Sequence, residues 1–305
     1  MKARFHYGGQ AVIEGVMIRG RKAVVTAVRR PSGEVTADSR PLSSIYTGWL
    51  RKTPLLRGVI VIIEAMVLGI SSLLYSANVA LEEEEEEITG KAVWLMLAVA
   101  VLLAVVLFLI IPLFLTRLLN PYIGSSLVFH LIEGAIRLII FIAYLKLVGL
   151  LPDIRRIFTY HGAEHKTVNA YEYGAALEVN AVKTYDKAHV RCGTSFLFVV
   201  LVIAIMVFAL VGRPALWLMI LSRVLLIPVI AALGYEFIHF GAKHAGNPLV
   251  KAVMLPGLWL QGMTTKEPED DQLEVALVAL KTALEIDQAE ETPQPSSGDR
   301  VIEPS

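Results

Sequence analysis

Long apolar runs separated by short polar ones set the plan of this chain. Residues 92–115, 126–151, 195–211 and 216–240 are each nearly continuously hydrophobic. Each is about as long as the ~17–25 residues that a helix needs to cross a bilayer. Only "GRPA", Gly212 to Ala215, separates the last two, which predicts a tight helical hairpin. The run "RGVIVIIEAMVLGISSLLYSANVA" at 57–80 also reads as helix. It differs in holding Glu64, Gly58 and Gly69 and a polar end, and the acidic run Glu82–Glu87 cuts it off. Residues 1–56 have a different texture. "AVIEGVMIRG" alternates weakly, "KAVVTAVRR" is β-branched, "PSGE" is a turn and "VTADS" is short and extended. This predicts a small antiparallel β unit of about three strands, too small to be stable unless it packs on something else.

A polar insert, 152–194, lies between the second and third long runs. Segment 241–289 mixes turn residues with apolar ones. Leu258, Trp259 and Leu260 read there as interfacial anchors or core. Its last part, "DDQLEVALVALKTALEI", is an amphipathic helix with Leu273, Leu277, Leu280 and Leu284 on one face. The stretch 290–305 is rich in Pro, Ser and acids and is expected to be disordered. The predicted fold class is therefore an α-helical polytopic membrane protein. It has about four transmembrane helices, paired as hairpins 92–151 and 195–240, and an interfacial or re-entrant helix at 57–80.

Composition agrees with that plan. Of 305 residues 55% are hydrophobic and 18% charged, and the mean hydropathy is +0.60. Balanced charge argues against a nucleic-acid partner, and Cys192, the only cysteine, rules out an internal disulfide. "MKARFHYGGQ" has no apolar core, so no cleavable signal peptide is expected. The lipid bilayer is the expected partner, with a membrane protein as further partner or substrate, and the sequence leaves the oligomeric state open. Residues 1–57 hold 11 Lys and Arg against 3 acids, and the insert holds Arg155, Arg156, Lys166, Lys183, Lys187 and Arg191. The positive-inside rule then expects both on the cytoplasmic face of the cell membrane, with both termini there too. That needs an even number of crossings between them, which is why 57–80 is not expected to cross.

The chemistry concentrates in "TYHGAEHKT", Thr159 to Thr167. A helix from Asp153, as N-cap, to Gly174 would place His161 and His165 one turn apart on one face, within reach of one divalent ion, zinc by ligand type. Glu164 would sit beside them as base for catalysis. The order H-x-x-E-H is the inverted zinc-helix motif. Seven histidines occur in the whole chain and two fall in this pentad. Further candidate ligands are His189 and Cys192 in "KAHVRCGTSF", and Glu236 in "GYEFIHF" with His239 on its face. Glu172 is another carboxylate candidate. The alternative is that these side chains only make polar contacts at a membrane surface. Inside the spans Glu133 and Arg137, four apart, can pair. Arg223 precedes Pro228, which should kink its helix. Buried ion pairing and a polar cavity are both open readings of these charges, and Arg191 or Arg223 could steady an anion.

Five blocks, "GGQAVIEGVMIRG", "YHGAEHKT", "HVRCGTSF", "SRVLLIPVIAALGYE" and "LPGLWLQGMTTKEPEDDQLEVALVAL", together resemble the YqhQ-like family of bacterial multi-pass membrane proteins. The resemblance runs from about Gly8 to Leu284. It implies a domain-of-unknown-function family labelled as predicted metal-dependent enzymes, and it implies no substrate. Two functions follow as expectations. One is a membrane-embedded metal-dependent hydrolase acting on a membrane protein or lipid. The other is a non-catalytic membrane scaffold or assembly factor with a structural metal or polar site. A transporter has the least support, since four spans without an internal repeat are few for that task.

Overall fold

The computed structural model describes residues 5–81, 90–189, 191–244 and 246–289. The acidic run at Glu82–Glu87 and the tail at 290–305 lie outside them. The N-terminal unit is a four-stranded antiparallel meander, one strand more than expected: β1 (Gly8–Val12), β2 (Gly15–Arg19), β3 (Ala23–Arg29) and β4 (Val35–Pro41), in the order β1-β2-β3-β4. The helices are α1 (Ser44–Thr47), α2 (Leu56–Ala80), α3 (Gly90–Val105), α4 (Ile111–Leu118), α5 (Ser126–Val148), α6 (Pro152–Glu172), α7 (Val179–Val182), α8 (Gly193–Val211), α9 (Leu216–Leu225), α10 (Ile227–Lys243), α11 (Pro248–Thr264) and α12 (Asp270–Ala289). A π turn, Val106–Ile110, joins α3 to α4.

The weak alternation of the strands has a physical cause. The sheet is covered on both faces, and β3 is buried from Ala23 to Val28. On one face Val16, Ile18, Val25 and Ala27 share a core with Tyr160 and Val168 of α6 and with Leu273, Leu277 and Leu280 of α12. On the other, Val12, Met17, Val24 and Val28 pack on Leu68, Tyr75 and Val79 of α2. A strand buried on both faces has no polar face to announce its period. The sheet, α6 and α12 therefore form one folded layer, although long stretches of chain separate them in sequence.

Among the described residues, four helices are long and apolar enough to cross a membrane: Leu56–Ala80, Lys91–Leu118, Ser126–Val148 and Gly193–Val211. The pair α9–α10, bent by 45°, would make a fifth. The bend falls at Leu226, beside Pro228, because proline cannot donate the helical hydrogen bond. By length alone α2 belongs with the spans, contrary to the distinction drawn from sequence, but its contacts set it apart. Arg19 and Arg51 both bond to its buried Glu64. Ser72 Oγ accepts from Thr26 Oγ1 at 2.9 Å, Ser71 Oγ accepts from Arg40 at 2.6 Å, and Ser76 Oγ accepts from the Ile13 amide at 3.2 Å. One side of α2 thus lies along the sheet. Its start meets α10 closely at Gly58, where an added Cβ would come within 2.9 Å of Ala232 Cα.

Asp153 lies in the first turn of α6 and is not its N-cap, which is Leu151. Gly174, at φ 76°, ends the helix region as expected. In α11, Trp259 is exposed and Leu260 buried. At the far end of α12, buried Asp287 ties the layer together. Its carboxylate accepts from the Arg21 and Lys22 amides at 2.8 and 3.0 Å and from Tyr7 Oη at 2.8 Å. Burial, and after it this bond to Asp287, pushes the Tyr7 hydroxyl pKa up. Asp287→Ala would leave three donors short of a partner and should cost about 1–3 kcal/mol or more. Thermal unfolding of the purified protein should show a Tm several degrees lower. Asp270→Ala, which removes an exposed pair with Lys183, should leave Tm unchanged.

Candidate metal centre

α6 is the platform of the site. Its first half is gripped by the sheet: Glu14, in the β1–β2 turn, pairs with Arg156 and accepts from Tyr160 Oη at 3.2 Å. Its middle runs unusually close to the chain that follows α11. A Cβ on Gly162 would meet the Lys266 carbonyl oxygen at 2.0 Å, so only glycine permits this approach, and the Lys266 amide donates to Phe158 O at 2.9 Å. On the other side, buried donors of α6 take up the carbonyls of the 183–188 loop. Lys166 Nζ donates to Lys183 O at 2.9 Å, and Asn169 Nδ2 to Asp186 O and Ala188 O at 2.7 and 3.0 Å. That loop leads directly to His189 and Cys192.

The result is a cluster of His161, His165 and Cys192, whose ligand atoms all lie within 4.8 Å of one another. His161 Nδ1–H donates to Thr264 O at 2.9 Å, and His165 Nδ1–H donates to Lys187 O at 2.6 Å. A carbonyl can only accept, so both rings carry their proton on Nδ1 and turn Nε2 inward when neutral. Inward lies Cys192 Sγ, 3.4 Å from His161 Nε2. Cys192 is the N-cap of α8, where its sulfur accepts from the Thr194 amide at 3.4 Å. Thr194 Oγ1 in turn meets Thr264 Oγ1 at 3.0 Å. Neutral imidazoles oriented by carbonyls, with a thiolate at a helix N-terminus, are a donor set that suits zinc.

The other sequence candidates fall in three places. Glu164 is buried beside the cluster, its carboxylate 3.4 Å from His165 Nε2. His189 is adjacent, with ring centroids 5.6 Å from His165, but it turns aside: its Nε2 lies 3.5 Å from Glu172 and 3.3 Å from Arg191, which itself pairs with Glu172. Its backbone is pinned by Gln261, which accepts from its amide and donates to its carbonyl, both at 2.9 Å. Glu236 is not in the cluster. Arg57 and the Leu55 amide hold it, an ion pair across 179 residues that no local spacing foretells. His239 stacks on Tyr235 in the same neighbourhood. Glu133, Arg137 and Arg223 form a separate buried group. Glu133 accepts from Arg137 at 2.6 Å and from Arg223 Nε at 3.0 Å, while Arg137 Nε donates to Phe108 O of the π turn at 2.8 Å. Thr264, Lys187 and Gln261 went unseen in the sequence because they act through backbone or amide groups, which carry no motif.

Electrostatics bind the cluster together. Burial opposes charge on Cys192, yet its hydrogen bonds to His161 and His165 hold the thiol well below its ordinary range. Burial likewise opposes protonation of His165, but Glu164 and the Cys192 sulfur outweigh it and raise its pKa to about 9. Glu172 is lowered to about 2: its burial is outweighed by the His189 bond and the Arg191 charge.

These features define a helical protein with several apolar helices, a small two-faced sheet and a His–His–Cys cluster in which His165 and Cys192 are buried and His161 is half-buried. A family profile described as a protein of unknown function, DUF1385, matches residues 53–286. The uncharacterized protein YqhQ of Bacillus subtilis (strain 168) is 36% identical over 305 residues, covering 95% of this chain and 96% of that one. The chain belongs to this DUF1385, YqhQ-like family. No solved structure matches it.

The linkage has a definite sign. Cys192 is depressed, so its contribution to stability is present above the unfolded thiol pKa and is lost as pH falls through the folded value. His165 is raised, so its contribution is complete below its unfolded pKa and is lost as pH rises through about 9. In metal-free protein the thiolate and the imidazolium should coexist near neutrality, where each contribution is only partly developed. The 240 nm absorbance difference between wild type and Cys192→Ser should show thiolate at pH ~7, where a free thiol of pKa ~8.5 is protonated. A midpoint in the ordinary thiol range would contradict the ion pair.

Proposed function

We propose that this chain is an integral protein of the cell membrane that holds a divalent metal, zinc by donor chemistry, on His161, His165 and Cys192. In this reading the sheet, α6, α12 and both termini face the cytoplasm. The protein is a metal-dependent hydrolase acting on a membrane-protein segment or a lipid. The observation that carries the reading is the pair of Nδ1–H bonds to Thr264 O and Lys187 O, which turns both Nε2 atoms toward Cys192 Sγ. Such carbonyl partners fix tautomer and orientation in metal-binding histidines.

The shared core of sheet, α6 and α12 supports the topology. Elements packed in one core lie on one side of a bilayer, so an even number of spans separates β4 from α6. Three helices between them are long enough to cross. The bonds of α2 to the sheet through Glu64, Ser71, Ser72 and Ser76 mark it as the one that lies along the folded layer. The α3–α4 and α5 helices then form one transmembrane hairpin, and α8 with α9–α10 the other. The basic residues of the N-terminal segment and insert orient this layer inward.

Chemically, a zinc ion in the cluster would supply Lewis acidity. Glu164, buried and next to His165, is placed to take a proton from an attacking water. With its pKa raised to about 9, His165 would hold a proton in metal-free protein, so metal uptake would release that proton and be favoured by rising pH. A non-catalytic scaffold with a structural metal has one observation in its favour. Cys192, His165 and Glu164 are each about 95% or more buried, as in closed structural sites.

Metal analysis separates these readings. Purified wild type should carry stoichiometric metal, His161→Ala should lose it, and Glu164→Gln should keep it. If Glu164→Gln keeps metal but uncleaved species build up in the membrane fraction of cells that express it, Glu164 works as a base. Full function with metal retained would point to the scaffold. Substoichiometric metal in wild type, unchanged by replacing both histidines, would end the metal reading.

A further inference from the structure

α8 is 19 residues long, about 28 Å at 1.5 Å per residue. Cys192 of the His161–His165–Cys192 cluster is the N-cap at its start. At its other end the α4–α5 connection and the α8–α9 turn enclose a cleft of about 170 Å³. Leu113, Phe129 and Met219 give it an apolar floor, and Arg117, Asn120 and Arg213 its polar groups.

The charge there is one-sided. Arg213 is held by neutral acceptors only: Asn120 Oδ1 at 3.0 Å, Ile123 O at 2.9 Å and Gly124 O at 2.7 Å. Its guanidinium also lies 5.6 Å from the Phe129 ring. Arg117 is exposed. The sequence has no acid between Asp186 and Glu236, and only Glu133 between Glu87 and Asp153. Glu133 is already shared by Arg137 and Arg223, and Arg223 also donates to Met219 O, on the floor of the cleft, at 2.9 Å. The first turn of α9, which has no side-chain cap, opens on the same cleft through Leu216. Its amide groups and dipole favour an anion. Tyr122 and Trp217, 86% and 64% exposed, flank this end, as aromatic residues do at headgroup depth.

We propose that this cleft binds the phosphate of an anionic phospholipid headgroup, with Arg117 and Arg213 as its charged donors. The proposal rests on the membrane reading above. Arginine forks match phosphate oxygens, and two guanidiniums with no carboxylate in their contacts among the described residues favour a lipid with net negative charge. The apolar floor and the exposed Leu118, Leu119 and Leu221 beside it suit acyl chains, which inorganic phosphate lacks.

The test is native mass spectrometry of the full chain released from nanodiscs of mixed phosphatidylglycerol and phosphatidylcholine. Wild type should retain phosphatidylglycerol over phosphatidylcholine, and Arg117→Gln should reduce that retention about tenfold, as loss of one charge-assisted hydrogen bond predicts. Arg213 also ties two loop carbonyls, so Arg213→Gln is read beside Arg117→Gln, which breaks no side-chain bond among the described residues. Equal retention of the two lipids, or retention unchanged in Arg117→Gln, overturns the proposal. Millimolar inorganic phosphate should not displace the lipid. Full displacement would assign the cleft to a soluble phosphate compound and overturn the lipid assignment. Recovery of wild type in the soluble fraction of lysed cells would defeat the membrane reading itself. Membrane recovery with arginine-independent lipid defeats only the cleft.

Discussion

The structure depends on one constraint: a sheet made at the start of the chain has no core until α6 and α12 arrive to cover it. Val16, Ile18, Val25 and Ala27 bury themselves against Tyr160, Val168, Leu273 and Leu280. Four short strands alone could not meet the entropy of being ordered. This long-range closure puts the insert beside the N-terminus and makes them one layer. It also fixes α6 from both sides, so the histidines of α6 meet a cysteine that belongs to α8. Gly162 is part of the same constraint. The two histidines frame a helix position where the Lys266 carbonyl leaves no room for a side chain.

Much of the fold was legible in the sequence, for reasons that can be named. Long apolar runs gave the helices, Pro228 the bend between α9 and α10, and the leucine spacing of 273, 277 and 280 the buried face of α12. The extra strand was less legible because "AVIEGVMIRG" reads as one weakly alternating stretch, whereas the chain turns at Ile13 and Glu14 and pairs β1 with β2. The bound side of α2 was hidden for a different reason. Its anchors are serines and one glutamate spaced along a hydrophobic helix, and their partners Arg19, Thr26 and Arg40 lie on strands earlier in the chain. Hydropathy averages over exactly those few polar positions that decide where a helix goes.

The candidate site was legible in part. A four-residue spacing is enough to place His161 and His165 on one face, and Cys192 stood out as the single thiol. Glu236 is a candidate by its carboxylate and by His239 on its face, yet neither says which way its helix face turns in the fold. Arg57 claims it instead. What the sequence could not offer was the orientation of the rings. That comes from two backbone carbonyls, at Thr264 and Lys187, delivered by the end of α11 and by a loop that α6 itself holds in place.

The two polar centres of the helical part obey opposite rules. Around Glu133 two guanidiniums share one carboxylate and the contacts among the described residues are internal, a closed arrangement in which removing Glu133 would strand two buried positive charges at ~3–5 kcal/mol or more. Such a group fixes packing and has nothing left to offer a substrate. The cluster of His161, His165 and Cys192 is built the other way. Its outward nitrogens are satisfied by carbonyls, while its inward atoms face one another with like function, two lone-pair nitrogens and a sulfur. Three acceptors gathered in one buried place repel unless a proton or a cation sits among them. In metal-free protein a proton on His165 would fill that role, its pKa raised despite burial by the Glu164 charge and then by the Cys192 sulfur. A divalent cation would fill it with more charge and three ligands, leaving Glu164 free to act on whatever shares the site.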